Sequence, residues 1–204
     1  MSALLVAVGL TVLLVGTEAF FTALEVLNLR HEERLVEQES AWIQAELGVD
    51  DPAEIVDYHR ARTGVSLLQQ WTLLVLVLLV LFSGLFADWV GLVQSLGLST
   101  LLEGAVFVAG IVLALRLVGA PFDLVDTFVV EEVFEFNEQS PRLWLRDFLL
   151  NTVVLLVLAV PLAVAIFWVV GTVPYWPAAA WALVMGFQLA MLVVKPRVID
   201  PLFY

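Results

Sequence analysis

"LLVLVLLVLF", Leu73–Phe82, decides the fold. A strand crossing a membrane would alternate polar with apolar residues over about ten positions. These ten residues do not alternate, and every one is apolar. Helices and closed barrels are the two structures that pair every backbone N–H and C=O without water, so this run reads as a membrane helix. A helix crosses the hydrocarbon with about 20 mostly apolar residues. Working outward, five segments meet that length: 4–27, 67–86, 101–118, 148–170 and 176–194. The expected fold class is therefore all-α, a polytopic membrane protein of five transmembrane helices with a helical cytoplasmic loop.

Composition agrees. Of 204 residues 62% are hydrophobic and 15% charged, and mean hydropathy is +0.99. Soluble domains carry about 45–50% apolar and about 25% charged residues. There is no Cys, which removes a disulfide framework and any Cys-ligated metal. Net charge is −12, with the acids crowded into the polar segments, above all between Glu32 and Asp57. Such loops repel nucleic acid and anionic head groups, so no nucleic-acid partner is expected and the lipid bilayer is. The opening "MSALLVAVGLTVLLVG" has no basic start and no A-x-A-like site; it reads as a retained first span.

The basic residues set an orientation. Arg30, Arg34, Arg60 and Arg62 lie between spans one and two, Arg142 and Arg146 between three and four, and Lys195 and Arg197 after five. The other connections have none, and Arg116 lies near the same end of the third span, where it can snorkel. The positive-inside bias then puts the N-terminus outside and the C-terminus in the cytoplasm. Trp71, Trp89, Trp144, Trp176 and Trp181 fall near span ends, as interfacial aromatics do. Pro161 predicts a kink in the fourth span.

Two cytoplasmic loops follow, 28–66 and 119–147. In the first, Leu35, Val36, Trp42, Ile43 and Leu47 recur at helical spacing, with Gly48 to end that helix. "DDPAE" gives Asp51 as N-cap, Pro52 at the first helical position and Glu54 three on. "HEERL" begins like the metalloprotease H-E-x-x-H, but its fifth residue is Leu35; solvated loop histidines are the better reading of His31 and His59. Ionisable residues inside spans are costly and usually face a bundle interior or a watery cavity. Glu18 and Glu25, seven apart, share a helix face. With Arg116 they are the candidate lining of a polar chamber; alternatively Glu25 and Glu103 lie at interfaces and only Glu18 is buried, paired with Arg116.

The second loop, "TFVVEEVFEFNEQSPRLWLRD" from Thr127 to Asp147, concentrates acids and Phe beside a membrane. With the residues before it, it resembles the CAAX prenyl protease type I family, integral-membrane zinc metalloproteases of the sterile-24 kind. That family reads approximately L-P-F-x-x-x-x-T-F-V-I-E-E-x-F-G-F-N-x-x-T-x-x-x-F-x-x-D. This chain has Pro121, Phe122, Thr127, Phe128, Glu131, Glu132, Phe134, Phe136, Asn137 and Asp147 in that order. "LEVLNLRH", "YHRARTGVSLLQQ" and "KPRVIDPLFY" are similar to further family stretches. Glu135 stands where the family has Gly, and Tyr204 where it has Asn.

The resemblance implies one membrane domain over 1–204, with the H-E-x-x-H helix, the third zinc ligand and two more spans falling after Tyr204. It carries no catalytic or metal residue onto this sequence and no cofactor to it, zinc belonging to full-length relatives. It implies that Glu131, Glu132, Phe134, Phe136, Asn137 and Asp147 belong to a loop packed on a zinc-protease domain in cis or trans. Substrates would be prenylated or membrane proteins, and the setting a prokaryotic plasma membrane. The chain is then expected to be the cage portion of a membrane metalloendopeptidase, inactive alone. The alternatives are a free-standing scaffold or lipid- and protein-binding protein, and a small transporter, which the lack of an inverted repeat disfavours.

Overall fold

A computed structural model describes residues 3–47 and 51–202. Its elements are α1 (Ala3–Leu47), α2 (Pro52–Ser83), α3 (Leu85–Ser95), α4 (Thr100–Val125), the single turn α5 (Glu131–Val133), α6 (Pro141–Thr172) and α7 (Trp176–Val194). A five-residue π-turn, Asp126–Val130, joins α4 to α5, and another, Lys195–Ile199, follows α7. No strand occurs among the described residues. Five helices are long and apolar enough to cross a membrane, and their most apolar windows bury 0–6% of their residues inside the protein. Leu, Val and Phe side chains along them are exposed, so the bilayer is what these faces are built to meet.

The ends of the helices follow local chemistry. Asp51 Oδ1 accepts the Ala53 N–H at 3.0 Å and caps α2, with Pro52 in the first turn. Ser140 Oγ accepts the Leu143 N–H at 3.3 Å and caps α6, with Pro141 next. α2 stops at Ser83, short of the Phe86 expected for the second span, because Gly84 takes φ 91°; a left-handed residue ends a helix, and glycine adopts it without strain. α3 then occupies part of what the sequence reads as a bare connection. α6 continues through Pro161. Gly48 lies outside the described residues.

The chain divides into two compact units, residues 1–85 with 118–138 and residues 86–117 with 139–204. In the first, α1 and α2 form an antiparallel hairpin. Trp71 Nε1 donates to Thr22 Oγ1 at 3.0 Å within the apolar stretch. Further out, His59 Nδ1 meets Glu32 Oε2 at 3.1 Å, and Arg60 pairs with Glu33. α1 is continuous through the first loop except at Glu39, where φ −119°, ψ 17° bends it. Glu, Arg, Leu and Gln are strong helix formers, so the charged segment continues the span's helix as far as Glu39, beyond which a second helical stretch runs to Leu47.

In the second unit α4 passes its neighbours at glycines. A Cβ on Gly104 would meet Phe167 ring carbons at 2.5–2.6 Å, and one on Gly110 would overlap the Trp89 ring. Phe86 and Phe107 meet edge to face at 5.8 Å. Close approach through small residues is how membrane helices gain contact without a hydrophobic driving force.

Candidate functional site

The site begins with the π-turn. One extra residue in the turn Asp126–Val130 displaces the chain as α4 ends, and Asp126 Oδ2 there accepts from Arg62 Nη2 at 3.2 Å. Arg62 Nη1 donates to the Tyr58 hydroxyl at 3.1 Å, and the guanidinium lies 5.6 Å from the Tyr58 ring centroid. The second loop also meets the Tyr58 ring: Phe134 at 5.4 Å and Phe136 at 4.9 Å, both edge to face. One residue of α2 therefore anchors the loop by its ring, while its neighbour one turn on anchors the turn before it by charge. Such aromatic pairs contribute about 0.5–1.5 kcal/mol each beyond their burial.

The loop's own backbone closes on itself. The Phe136 N–H donates to Glu131 O at 2.8 Å and the Glu135 N–H to Glu132 O at 3.3 Å. These are the six-to-one and five-to-two bonds of a Schellman C-cap, with Glu135 at the position that glycine usually fills. Glu135 holds φ 58°, the sole positive φ of a non-glycine residue among those described. The departure from the family's Gly thus keeps the glycine conformation and accepts its strain. Asn137 Nδ2 donates to Glu132 Oε2 at 2.8 Å and its N–H to Glu131 O at 3.1 Å. Val133 and Phe136 remain 72% and 57% exposed.

Below the loop the first unit holds a cavity of about 370 Å³ lined by Glu25, Arg62, Ser66, Gln69, Asp123 and Asp126, among others. A second, about 330 Å³, shares Glu25, Arg62 and Thr63 with it and adds Asn28, Glu32 and His59. Glu25 Oε2 and Asp126 Oδ1 are buried without a hydrogen-bond partner among the described residues. Carboxylates outnumber cations around this space, making it rich in hydrogen-bond acceptors. Glu25 lines it. Glu18, on the same helix, is not among the residues lining either cavity, and its Oε1 is buried without a partner among the described residues.

The remaining expected residues belong to the second unit. Asp147 Oδ2 accepts from Gln139 Nε2 at 3.1 Å. Arg116 Nε donates to Thr152 Oγ1 at 3.3 Å, and its guanidinium lies 4.6 Å from the Phe148 ring centroid. Glu131, Glu132, Phe134, Phe136 and Asn137 are thus brought together, and Asp147 is held separately at the start of α6. Tyr58 and Arg62, the loop's anchors, were visible in the sequence as the matched stretch "YHRARTG", yet nothing in that stretch names their partners. Among the described residues no group of three or more His, Cys, Asp or Glu is placed to hold a metal ion, so these residues do not fit zinc.

Residues 38–204 match the sequence family described as CAAX prenyl protease N-terminal, five membrane helices. The match starts beyond the first span, leaving "LEVLNLRH" outside it. A CAAX prenyl protease 1 homolog of Oryza sativa subsp. japonica is 32% identical over 104 residues, 50% of this chain and 24% of that protein. The Arabidopsis thaliana homolog is 33% identical over 98 residues, 48% of this chain and 23% of its own length. A probable CAAX prenyl protease 1 of Schizosaccharomyces pombe is 31% identical over 112 residues, 52% and 23%. The aligned part is about a quarter of the length of these curated relatives.

Proposed function

We propose, because the chain belongs to the CAAX prenyl protease N-terminal family with its five membrane helices, that it is the membrane-chamber part of a zinc metalloendopeptidase. It is an integral, multi-pass membrane protein. In this reading the α1–α2 hairpin and the cavities about Glu25 wall a polar chamber, and the second loop packs on a catalytic part that carries the zinc. Glu131, Glu132 and Asn137 fix the loop's shape, Phe134 and Phe136 both pack on Tyr58, and Val133 with the exposed part of Phe136 faces the catalytic part. Asp147 holds the loop's far end through Gln139. The N-terminus lies outside and the C-terminus in the cytoplasm of a prokaryotic cell, with prenylated or membrane-embedded polypeptides as substrates.

The observation that carries this is the loop itself. Its backbone is locked by a Schellman cap and its acids are turned to that task, yet Val133 and Phe136 are presented outward. A rigid apolar tip rimmed by acids suits a partner surface better than water. The test expresses the Val133→Cys variant in its own membranes, applies mild thiol cross-linking and captures the chain with an antibody to the Glu32–Asp57 segment. A product that contains an H-E-x-x-H sequence and zinc, on the same chain or a second one, is expected. Capture of the 22.5 kDa chain with no such sequence joined to it overturns the proposal and leaves the scaffold reading.

A further inference from the structure

Arg116 is a charge within a membrane helix, and in its own unit no carboxylate pairs with it among the described residues. It is nevertheless held firmly. The Thr152 hydroxyl, in a buried residue, donates to Phe148 O at 2.7 Å and so turns a lone pair to Arg116 Nε. The guanidinium stacks on Phe148, and Phe148 stacks on Trp144 at 5.2 Å with 16° between planes. The Nε bond and the ring contact together hold the group and spend only Nε. The Nη1–Nη2 edge, a fork of parallel donors, has no acceptor among the described residues of that unit.

Depth identifies what reaches that fork. From Thr100 to Arg116 is about 24 Å of helix, and from Thr152 to the end of α6 at Thr172 about 30 Å, at 1.5 Å per residue. The hydrocarbon is about 30 Å thick, so Arg116, Phe148 and Trp144 share the level where chains give way to head groups. There the abundant anion is a phosphodiester, whose paired oxygens match a guanidinium fork. A snorkelling side chain would sample many head groups; one clamped by Thr152 and Phe148 holds one. We infer that Arg116, Thr152, Phe148 and Trp144 form a binding site for the phosphate of one anionic phospholipid. An anionic lipid fits better than a zwitterionic one because the site's single cation is then neutralised without adding a second.

The experiment reconstitutes the chain in vesicles of equimolar phosphatidylcholine and phosphatidylglycerol and counts retained lipids by native mass spectrometry. One phosphatidylglycerol per chain is expected to survive release from the vesicle. Arg116→Gln should lower that occupancy by about tenfold or more, the scale of a charge-assisted hydrogen bond. Arg116→Lys should lower it nearly as far, since a point charge lacks the fork. Thr152→Val keeps the charge and nearly the volume but frees Nε; an intermediate loss is expected, and this variant carries the test if Arg116→Gln does not fold. Arg142→Gln, an exposed control, should change nothing. Equal retention of the two lipids, retention unchanged in Arg116→Gln or Thr152→Val, or displacement by inorganic phosphate overturns the inference. So does a Glu18→Gln variant that loses as much thermal stability as Arg116→Gln while lipid retention stays constant in both, which would make Glu18 the partner.

Discussion

Glu135→Gly should make the second loop more stable. At φ 58° an L-residue bears about 1–2 kcal/mol of steric cost that glycine escapes. Glycine in turn loses more freedom on folding, about 0.5–1 kcal/mol, so the net gain is about 0.5–1 kcal/mol. The readout is hydrogen exchange at the Phe136 and Asn137 amides, which both donate to Glu131 O. By the usual conversion of about 1.4 kcal/mol per tenfold, their protection should rise about two- to fivefold. Glu135→Ala isolates the backbone effect, because it removes the carboxylate and keeps the Cβ; it should match the parent. Glu135→Val, stiff and β-branched, should exchange faster than either. Protection that falls in Glu135→Gly while Glu135→Ala stays level would refute the reasoning, because strain at a left-handed C-cap would then not be the governing term.

Gly110→Ala places a methyl in the Trp89 ring and should cost about 1–3 kcal/mol, read as a lower unfolding temperature in detergent, whereas Gly9→Ala, with open space around it, should be neutral. Tyr58→Ala removes two aromatic contacts and should speed exchange of the Phe134–Asn137 amides about fivefold or more; Tyr58→Phe, which loses one hydrogen bond to Arg62, should do much less. Asp51→Ala removes the α2 cap and should cost about 1 kcal/mol, visible as fraying of the first turn by exchange at Ala53.

The sequence makes the fold legible where the signal is local. "DDPAE" contains its own donors, acceptors and fixed φ, so the capped start of α2 could be read without knowing what surrounds it. The apolar runs are equally self-sufficient, since the bilayer asks only for length and hydrophobicity. Glu135 stood out as a departure, but its meaning required the two hydrogen bonds that make it a C-cap. The helical course of Arg30–Glu39 was harder, because charged residues serve a helix and a solvated loop alike. α3 is hidden in the sequence: in "ADWVGLVQS" the turn residue Gly91 and polar Asp88 mask a short helix whose Val93 is buried and whose Trp89 lies against Gly110. The site was least legible. Arg62 and Asp126 are 64 positions apart, Tyr58 and Phe136 further still, and no periodicity encodes such a meeting.

The α1–α2 hairpin has one more consequence. If hydrocarbon takes residues 4–27, the twelve residues of α1 from Asn28 to Glu39 reach about 18 Å further at 1.5 Å each, braced by Glu32–His59 and Glu33–Arg60. Up to the bend at Glu39 that makes a stiff post. A post of fixed height is a ruler: whatever rests on it works at a set distance from the lipid surface, and trimming or adding one helical turn would move that plane by about 5.4 Å and swing its contacts around the axis.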